Sequence, residues 1–170
     1  MFPENWREQV VTEARTWKGT RYVHKGRVKG VGVDCGGLIY QLFSPFLPLP
    51  PFPKDYPQDW AMHRNGNELY LDFIMPFVAE IEEPVKAGLA LFQVGRNFSH
   101  GAICTGEGTF VHAYGRTGYG CVREDGLSFF KLGEKRRLVK YFDVGSQWLS
   151  PSHERSRLLA AWAVLSLAPG

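Results

Sequence analysis

The stretch Val31-Gly32-Val33-Asp34-Cys35-Gly36-Gly37-Leu38-Ile39 decides how the chain is read. An extended approach turns there into a helix. Asp34 is a favoured N-cap residue, and Leu38, Ile39, Leu42 and Phe43 fall on one apolar helix face. Cys35 then takes the first helical position. Free backbone N–H groups and the positive end of the helix dipole favour thiolate over thiol at such a place, and the thiolate is the form that attacks a carbonyl carbon. Gly36 and Gly37 oppose helix propensity by about 1 kcal/mol each relative to alanine, so something other than the helix is expected to need that space. A ligand backbone approaching the cysteine would need it. The competing reading of this position alone is a cysteine that packs as a small apolar side chain.

Upstream, Gly19-Thr20-Arg21-Tyr22 leads into a glycine-rich basic loop, His24 to Gly32, whose place just before Cys35 makes it a candidate pocket wall. From Glu4 to Trp17 the recurrence of Trp6, Val10, Ala14 and Trp17 predicts an amphipathic helix stopped by Gly19. Downstream, Ser44-Pro45 and Pro48, Pro50, Pro51, Pro53 and Pro57 end the cysteine helix and predict a stiff, extended connection over 45–57. A surface-hugging path is the expectation there, with a partner bound in polyproline form as the alternative. A second helical pattern runs from Asn65 to Phe77, with Leu69, Phe73 and Phe77 inward.

The second half changes period. Leu89–Val94, His100–Thr105, Thr109–Tyr114, Cys121–Glu124 and Leu138–Phe142 are short runs separated by turn residues and predict an antiparallel meander. A last helix is expected over 154–167. Helices followed by strands predict a two-layer α+β domain, helices packed on a mainly antiparallel sheet, with 1–170 as a single domain.

Composition bounds the function. The chain has 170 residues and a formal net charge of +3, with a sequence pI near 8.8. That is mildly basic, and Lys135-Arg136-Arg137 reads as a solvated face, not a nucleic-acid site. Met1 to Gln9 carries Glu4, Arg7 and Glu8 and no apolar core, so no signal peptide and synthesis in the cytoplasm are the expectation. No run has the apolar length of a membrane span. Cys35, Cys104 and Cys121 form no disulfide framework and no C-x-x-C pair. Pairing of Cys104 with Cys121 stays open, though a reducing compartment argues against it.

His100 and His112 complete the candidate chemistry. If Gly106-Glu107-Gly108 is a three-residue hairpin loop, Thr105 faces Thr109, Ala102 faces His112 and His100 faces Tyr114. The two histidines are then diagonal neighbours on one face, with small Ala102 leaving room for their rings. A loop one residue shorter or longer would put them on opposite faces. Cysteine acyl chemistry requires a nucleophile, a base and a group that holds the base. Cys35, His100 and His112 fit these roles in that order, with the Cys35 backbone N–H as an oxyanion donor. His24, His63 and His153 carry no such context. The wide spacing of Cys35, His100 and His112 has no metal signature, and no cofactor is called for.

These residues resemble a known family. Asp34-Cys35-Gly36-Gly37-Leu38 is similar to the Asp-Cys-Ser-Gly-Leu motif of NlpC/P60 cysteine peptidases. Ser99-His100-Gly101-Ala102-Ile103 resembles their Ser-His-Val-Gly-Ile strand, Phe110-Val111-His112-Ala113 their Phe-Ile-His-Ala strand, and Gly19-Thr20-Arg21-Tyr22 their Gly-Thr-Pro-Tyr. The long approach Arg27 to Cys35 looks most like phage-type and gene-transfer-agent-type members. The resemblance implies a papain-like fold and hydrolysis of peptidoglycan stem-peptide amides, typically the D-γ-glutamyl bond to a diamino acid. It implies Cys35, His100 and His112 as catalytic residues, and Tyr22, Asp34 and Ser99 as substrate-binding ones. It also implies a phage-tail or particle setting, with action at the cell wall. Gly36 departs from the family serine, Arg21 from the proline, and Leu89 from the aspartate of a Gly-Asp turn. Two other readings use the same residues: a papain-like acyltransferase or deacylase acting on another amide or thioester, and a tail-assembly module without turnover.

Overall fold

The first helix is made by its apolar stripe. In α1 (Trp6–Thr16), Trp6, Val10, Val11 and Ala14 are buried, and Gly19, at φ +85°, turns the chain out of it. The computed structural model describes residues 3–57, 69–95, 97–115, 120–132, 135–136 and 138–145. The expected helix over 154–167, His63 and His153 lie outside the described residues.

The basic loop is ordered as a two-stranded ribbon, β1 (Arg27–Val28) with β2 (Gly32–Val33). Its end delivers the chain to α2 (Cys35–Phe43), which is capped by Asp34: the carboxylate oxygen Oδ1 accepts from the Gly37 N–H at 2.7 Å. The chain then runs through 44–57 to α3 (Leu69–Ile74) and a 3-10 turn, Met75–Phe77. Phe77 is buried as expected, but Tyr70 and Ile74 form the rest of the inward stripe, and Phe73, expected inward, is only half-buried.

The main sheet has six antiparallel strands in the order β3 (Val78–Ile81), β10 (Val139–Val144), β4 (Leu89–Val94), β5 (Asn97–Cys104), β6 (Thr109–Ala113) and β7 (Val122–Gly126). A small ribbon pairs β8 (Lys131–Leu132) with β9 (Lys135–Arg136). The α+β class is as expected, but the sheet is not a pure meander. Only β4 to β7 follow in order, because β10 returns to pair β4 on one side and β3 on the other. Strand β3 carries too little alternation to signal itself, and its pairing with β10 is a long-range contact no local pattern announces.

Alternation along the strands sorts the core into two layers. Leu89, Leu91, Ile103, Val111 and Phe142 pack with α1 and α2, among them Val10, Leu38 and Leu42. Ala90, Phe92, Ala102, Cys104, Phe110 and Phe130 form a second cluster on the opposite face. All three cysteines are free thiols, so Cys104 and Cys121 do not pair. Among the described residues no helix is long and apolar enough to cross a membrane.

The two glycines after Cys35 are filled by the protein itself. A Cβ at Gly37 would run into the backbone carbonyl of Gly26, and one at Gly36 would meet the ring of Phe52 at 3.2 Å. The carbonyl cannot step aside, whereas the ring can. Gly37→Ala is therefore expected to destabilise by about 1–3 kcal/mol despite its better helix propensity, while Gly36→Ala stays within about 1 kcal/mol of the parent. Urea denaturation midpoints of the two variants check this.

Candidate active site

Asp34 builds the Cys35 end of the site. Its carboxylate is buried, and besides capping α2 it accepts from the Lys25 backbone N–H at 2.8 Å and from the Tyr56 hydroxyl. One side chain thus joins the helix start, the basic ribbon and the proline-rich segment. Cys35, at the helix start, points its Sγ at the strand: the thiol lies 3.9 Å from the Ser99 carbonyl oxygen, and the backbone N–H of Gly101 also reaches the sulfur. Ser99 and Gly101 are the two chain neighbours of His100. Tyr70 donates its hydroxyl to the Cys35 carbonyl at 3.2 Å, fixing the first turn from the other side.

The thiol is not held as an anion. Burial first, then the Asp34 carboxylate, push Cys35 up to about 12, against the backbone N–H groups of Gly101, Gly36 and Cys35 itself. The expected lowering by the helix start is present but outweighed, because a carboxylate one residue away and a dry environment both oppose negative charge. Cys35 is a neutral thiol at neutral pH.

The histidine side comes from the sheet. The β5–β6 pairing puts Ile103 opposite Val111 and Cys104 opposite Phe110, which is the register of a three-residue loop. Gly106 and Gly108 supply its positive φ angles, +84° and +76°. His100 and His112 therefore share a face, with His100 Nε2 and His112 Nδ1 2.9 Å apart and their rings perpendicular. His112 Nε2 lies 3.1 Å from Asp125 Oδ2. Arg123 grips that carboxylate with two bonds, Nε to Oδ2 at 2.9 Å and Nη2 to Oδ1 at 3.0 Å. His112 is fully buried beneath the rings of Phe129 and Phe130. Burial pushes its imidazole down to about 4, despite the upward pull of Asp125, with Arg123 adding to the fall.

Cys35, Ser99 and His100 border one cavity of about 630 Å³, along with Tyr22 and Asp34. Burial first, with the Asp34 carboxylate adding to it, raises the Tyr22 phenol and keeps it protonated. Ser99 donates its hydroxyl to the Val94 carbonyl at 3.5 Å. The proline-rich segment runs over the surface with 51–57 exposed or half-buried, and Phe52, Pro53 and Tyr56 form part of the cavity wall. His24 opens the loop expected to wall the pocket and does line the cavity; beyond that expectation, it bonds the Tyr56 carbonyl through Nε2 at 2.9 Å and sits 3.8 Å from Asp34. Among the described residues no group of histidine, cysteine and acidic side chains is arranged to hold a metal.

Asp125 and Arg123 are absent from the sequence reading. The β6–β7 register sets His112 opposite Arg123 and Val111 opposite Glu124, so Asp125 is a diagonal neighbour of His112. The same geometric rule that pairs the histidines would have found it, had β7 been extended to Gly126.

Comparison with solved structures supports the architecture. The NlpC/p60 domain of the peptidoglycan hydrolase SagA superposes with a TM-score of 0.52 at 19% identity, covering 79% of this chain and 96% of that domain. The fold is that of an NlpC/p60 domain. NlpC1 from Trichomonas vaginalis shares it too, with a TM-score of 0.57 at 16% identity over 85% of this chain and 45% of that one. In sequence, the chain is 30% identical over 105 residues to the gamma-DL-glutamyl hydrolase of Bacillus subtilis (strain 168), a match that covers 61% of this chain and 22% of that protein. This chain thus spans about a fifth of the curated relative's length. No family model matches the chain.

The charges around Cys35 and His112 have two measurable consequences. Asp34→Asn keeps an N-cap but removes the anion that opposes thiolate formation, so the pH midpoint for alkylation of Cys35 should move down. Losing one acceptor oxygen should also cost about 1–3 kcal/mol of stability. For His112, the native imidazole is depressed to about 4 from an ordinary 6.5. Between those values the unfolded chain binds more protons, so stability rises with pH there. Roughly 3 kcal/mol present above pH 6.5 should be lost as pH falls through 4. Urea midpoints taken across this range should show the slope, and His112→Gln should flatten it.

Proposed function

We propose that this chain is a cysteine peptidase of the NlpC/P60 family that hydrolyses amide bonds in peptidoglycan stem peptides. The D-γ-glutamyl bond to a diamino acid is the bond proposed, in keeping with the motifs around Cys35, His100 and His112. The observation that carries this reading is the sulfur of Cys35 lodged against the backbone on both sides of His100, whose Nε2 lies 2.9 Å from Nδ1 of the buried His112. The fold shared with a peptidoglycan hydrolase domain and the partial match to a gamma-DL-glutamyl hydrolase support the substrate class. A phage-tail or gene-transfer-agent setting is proposed from the Arg27 to Cys35 approach.

The chemistry follows from a neutral thiol. As Sγ attacks the amide carbonyl, its proton passes to His100. The oxyanion that forms is met by backbone N–H groups at the start of α2, which already point at the sulfur. Collapse breaks the C–N bond, and His100 gives the proton to the leaving amine. Water, deprotonated by His100, then cleaves the thioester and returns the thiol. Tyr22 and Asp34 line the cavity, which supports a role for them at the amino end of the stem peptide.

Purified protein incubated with sacculi should release cleaved stem peptides detectable by mass spectrometry. Cys35→Ala should abolish release, and His100→Ala should lower it by about 10³-fold or more. Full activity in Cys35→Ala would exclude this mechanism.

A further inference from the structure

Every proton on the histidine pair can be traced from Asp125. We propose that Asp125, clamped by Arg123, is a positioning residue that fixes the tautomers of His112 and His100 and so leaves His100 Nδ1 as the base. The proposal rests on the reading of Cys35 and His100 as nucleophile and base, and it extends the site by two residues of β7.

A carboxylate only accepts hydrogen bonds. At 3.1 Å from Asp125 Oδ2, His112 Nε2 must therefore carry the proton and donate it. His112 is neutral through the working range, so it has one N–H, and its Nδ1 is a bare lone pair. At 2.9 Å from that lone pair, His100 Nε2 must donate in turn. A neutral His100 with its proton on Nε2 holds its own lone pair on Nδ1, the form able to take the thiol proton. When it does, no proton moves along the chain. The new imidazolium keeps its Nε2–H on His112, with the Asp125 carboxylate behind it.

The charged and titratable groups facing His112 are His100 from β5, Asp125 and Arg123 from β7, and Tyr114 just beyond its own strand, 6.2 Å away ring to ring. Phe129 and Phe130 close the remaining sides. Among these groups, Asp125 alone contacts Nε2 as an acceptor. Without it, the proton of His112 has reason to move to Nδ1 and point at His100. That would reverse the His100 tautomer and put a hydrogen where the base must be bare. Arg123 secures the arrangement: its fork holds both carboxylate oxygens, and its guanidinium lies 4.8 Å over the Phe129 ring.

Nitrogen-15 NMR of the imidazoles reads the tautomers directly and needs no substrate. In the parent protein His112 should carry its proton on Nε2 and leave Nδ1 bare, and a proton on Nδ1 instead would overturn the proposal outright. In Asp125→Ala the tautomer should shift toward Nδ1–H, and alkylation of Cys35 by iodoacetamide at neutral pH should slow by about 10²-fold. Asp125→Glu, which keeps a carboxylate, should restore both readouts. An unchanged tautomer and alkylation rate in folded Asp125→Ala would also overturn it. Should Asp125→Ala fail to fold, the parent spectrum alone still decides. Intact sacculi alongside the expected tautomers would count against the proposed substrate and leave the role of Asp125 standing.

Discussion

The site depends on a single buried carboxylate. Asp34 offers two oxygens to three donors from three separate segments: the N–H of Gly37 in α2, the N–H of Lys25 in the basic ribbon and the hydroxyl of Tyr56 beyond the prolines. Each donor left without this partner in the interior would cost about 1–3 kcal/mol, so the three segments are bound to one another through it. Position and reactivity are then in opposition. The charge that anchors Cys35 in place is also the charge that, with burial, keeps the thiol protonated. A fold that needed a standing thiolate would not put a carboxylate next to it. One that moves the proton during attack loses little by doing so, because the base supplies the driving force when it is used.

That placement explains why the proline-rich segment matters to the cavity. Its prolines stiffen the chain, but its aromatic residues make the contacts. Tyr56 reaches Asp34, and its ring packs edge-on to His24 at 5.0 Å and to Phe52 at 5.8 Å. Phe52 in turn packs against Tyr40 of α2 and Phe73 of α3. The space that Gly36 leaves is occupied by Phe52, so the glycine at this position and the aromatic cluster are one feature. A hydroxyl at that place would be pressed against a ring.

Most of the fold is legible in the sequence because period and punctuation agree. The α1 stripe, the Asp34 cap, the stop after Phe43 and the glycine loop at 106–108 all stand in local residue choice, and the loop length alone puts both histidines on one face. The rest is invisible locally for physical reasons. Strand β3 owes its pairing to β10, some sixty residues away in the chain. The state of the Cys35 thiol follows from a balance between a helix start, which sequence shows, and burial, which it does not. Asp125 lay within reach of the same diagonal rule that found His112, but the strand run expected there, Cys121–Glu124, stops one residue short of it. Only the register shows that Glu124 turns to Arg15 of α1 while Asp125 turns to His112.

This division of β7 shows how a sheet can serve packing and chemistry at once. Adjacent residues on a strand point to opposite faces, so Glu124 and Asp125 work in different surroundings although they are neighbours. Glu124 accepts from Arg15, Lys18 and Thr109, and those bonds, Arg15 foremost, hold its carboxyl down near 2. It ties the helix layer to the sheet edge. Asp125 looks the other way, toward the aromatic face that carries both histidines. The chain thus places the histidine pair on the layer opposite the α2 core and brings Cys35 to it only at the end of a helix, beside the backbone of β5. Moving α2 along its axis by one turn would shift the sulfur about 5.4 Å from Ser99 and Gly101 while leaving the histidine relay untouched. The cap at Asp34 and the carbonyl of Gly26 wedged against Gly37 are contacts that hold α2 against such a slide, which is why position 37, two residues after Cys35, has so little freedom in side-chain size.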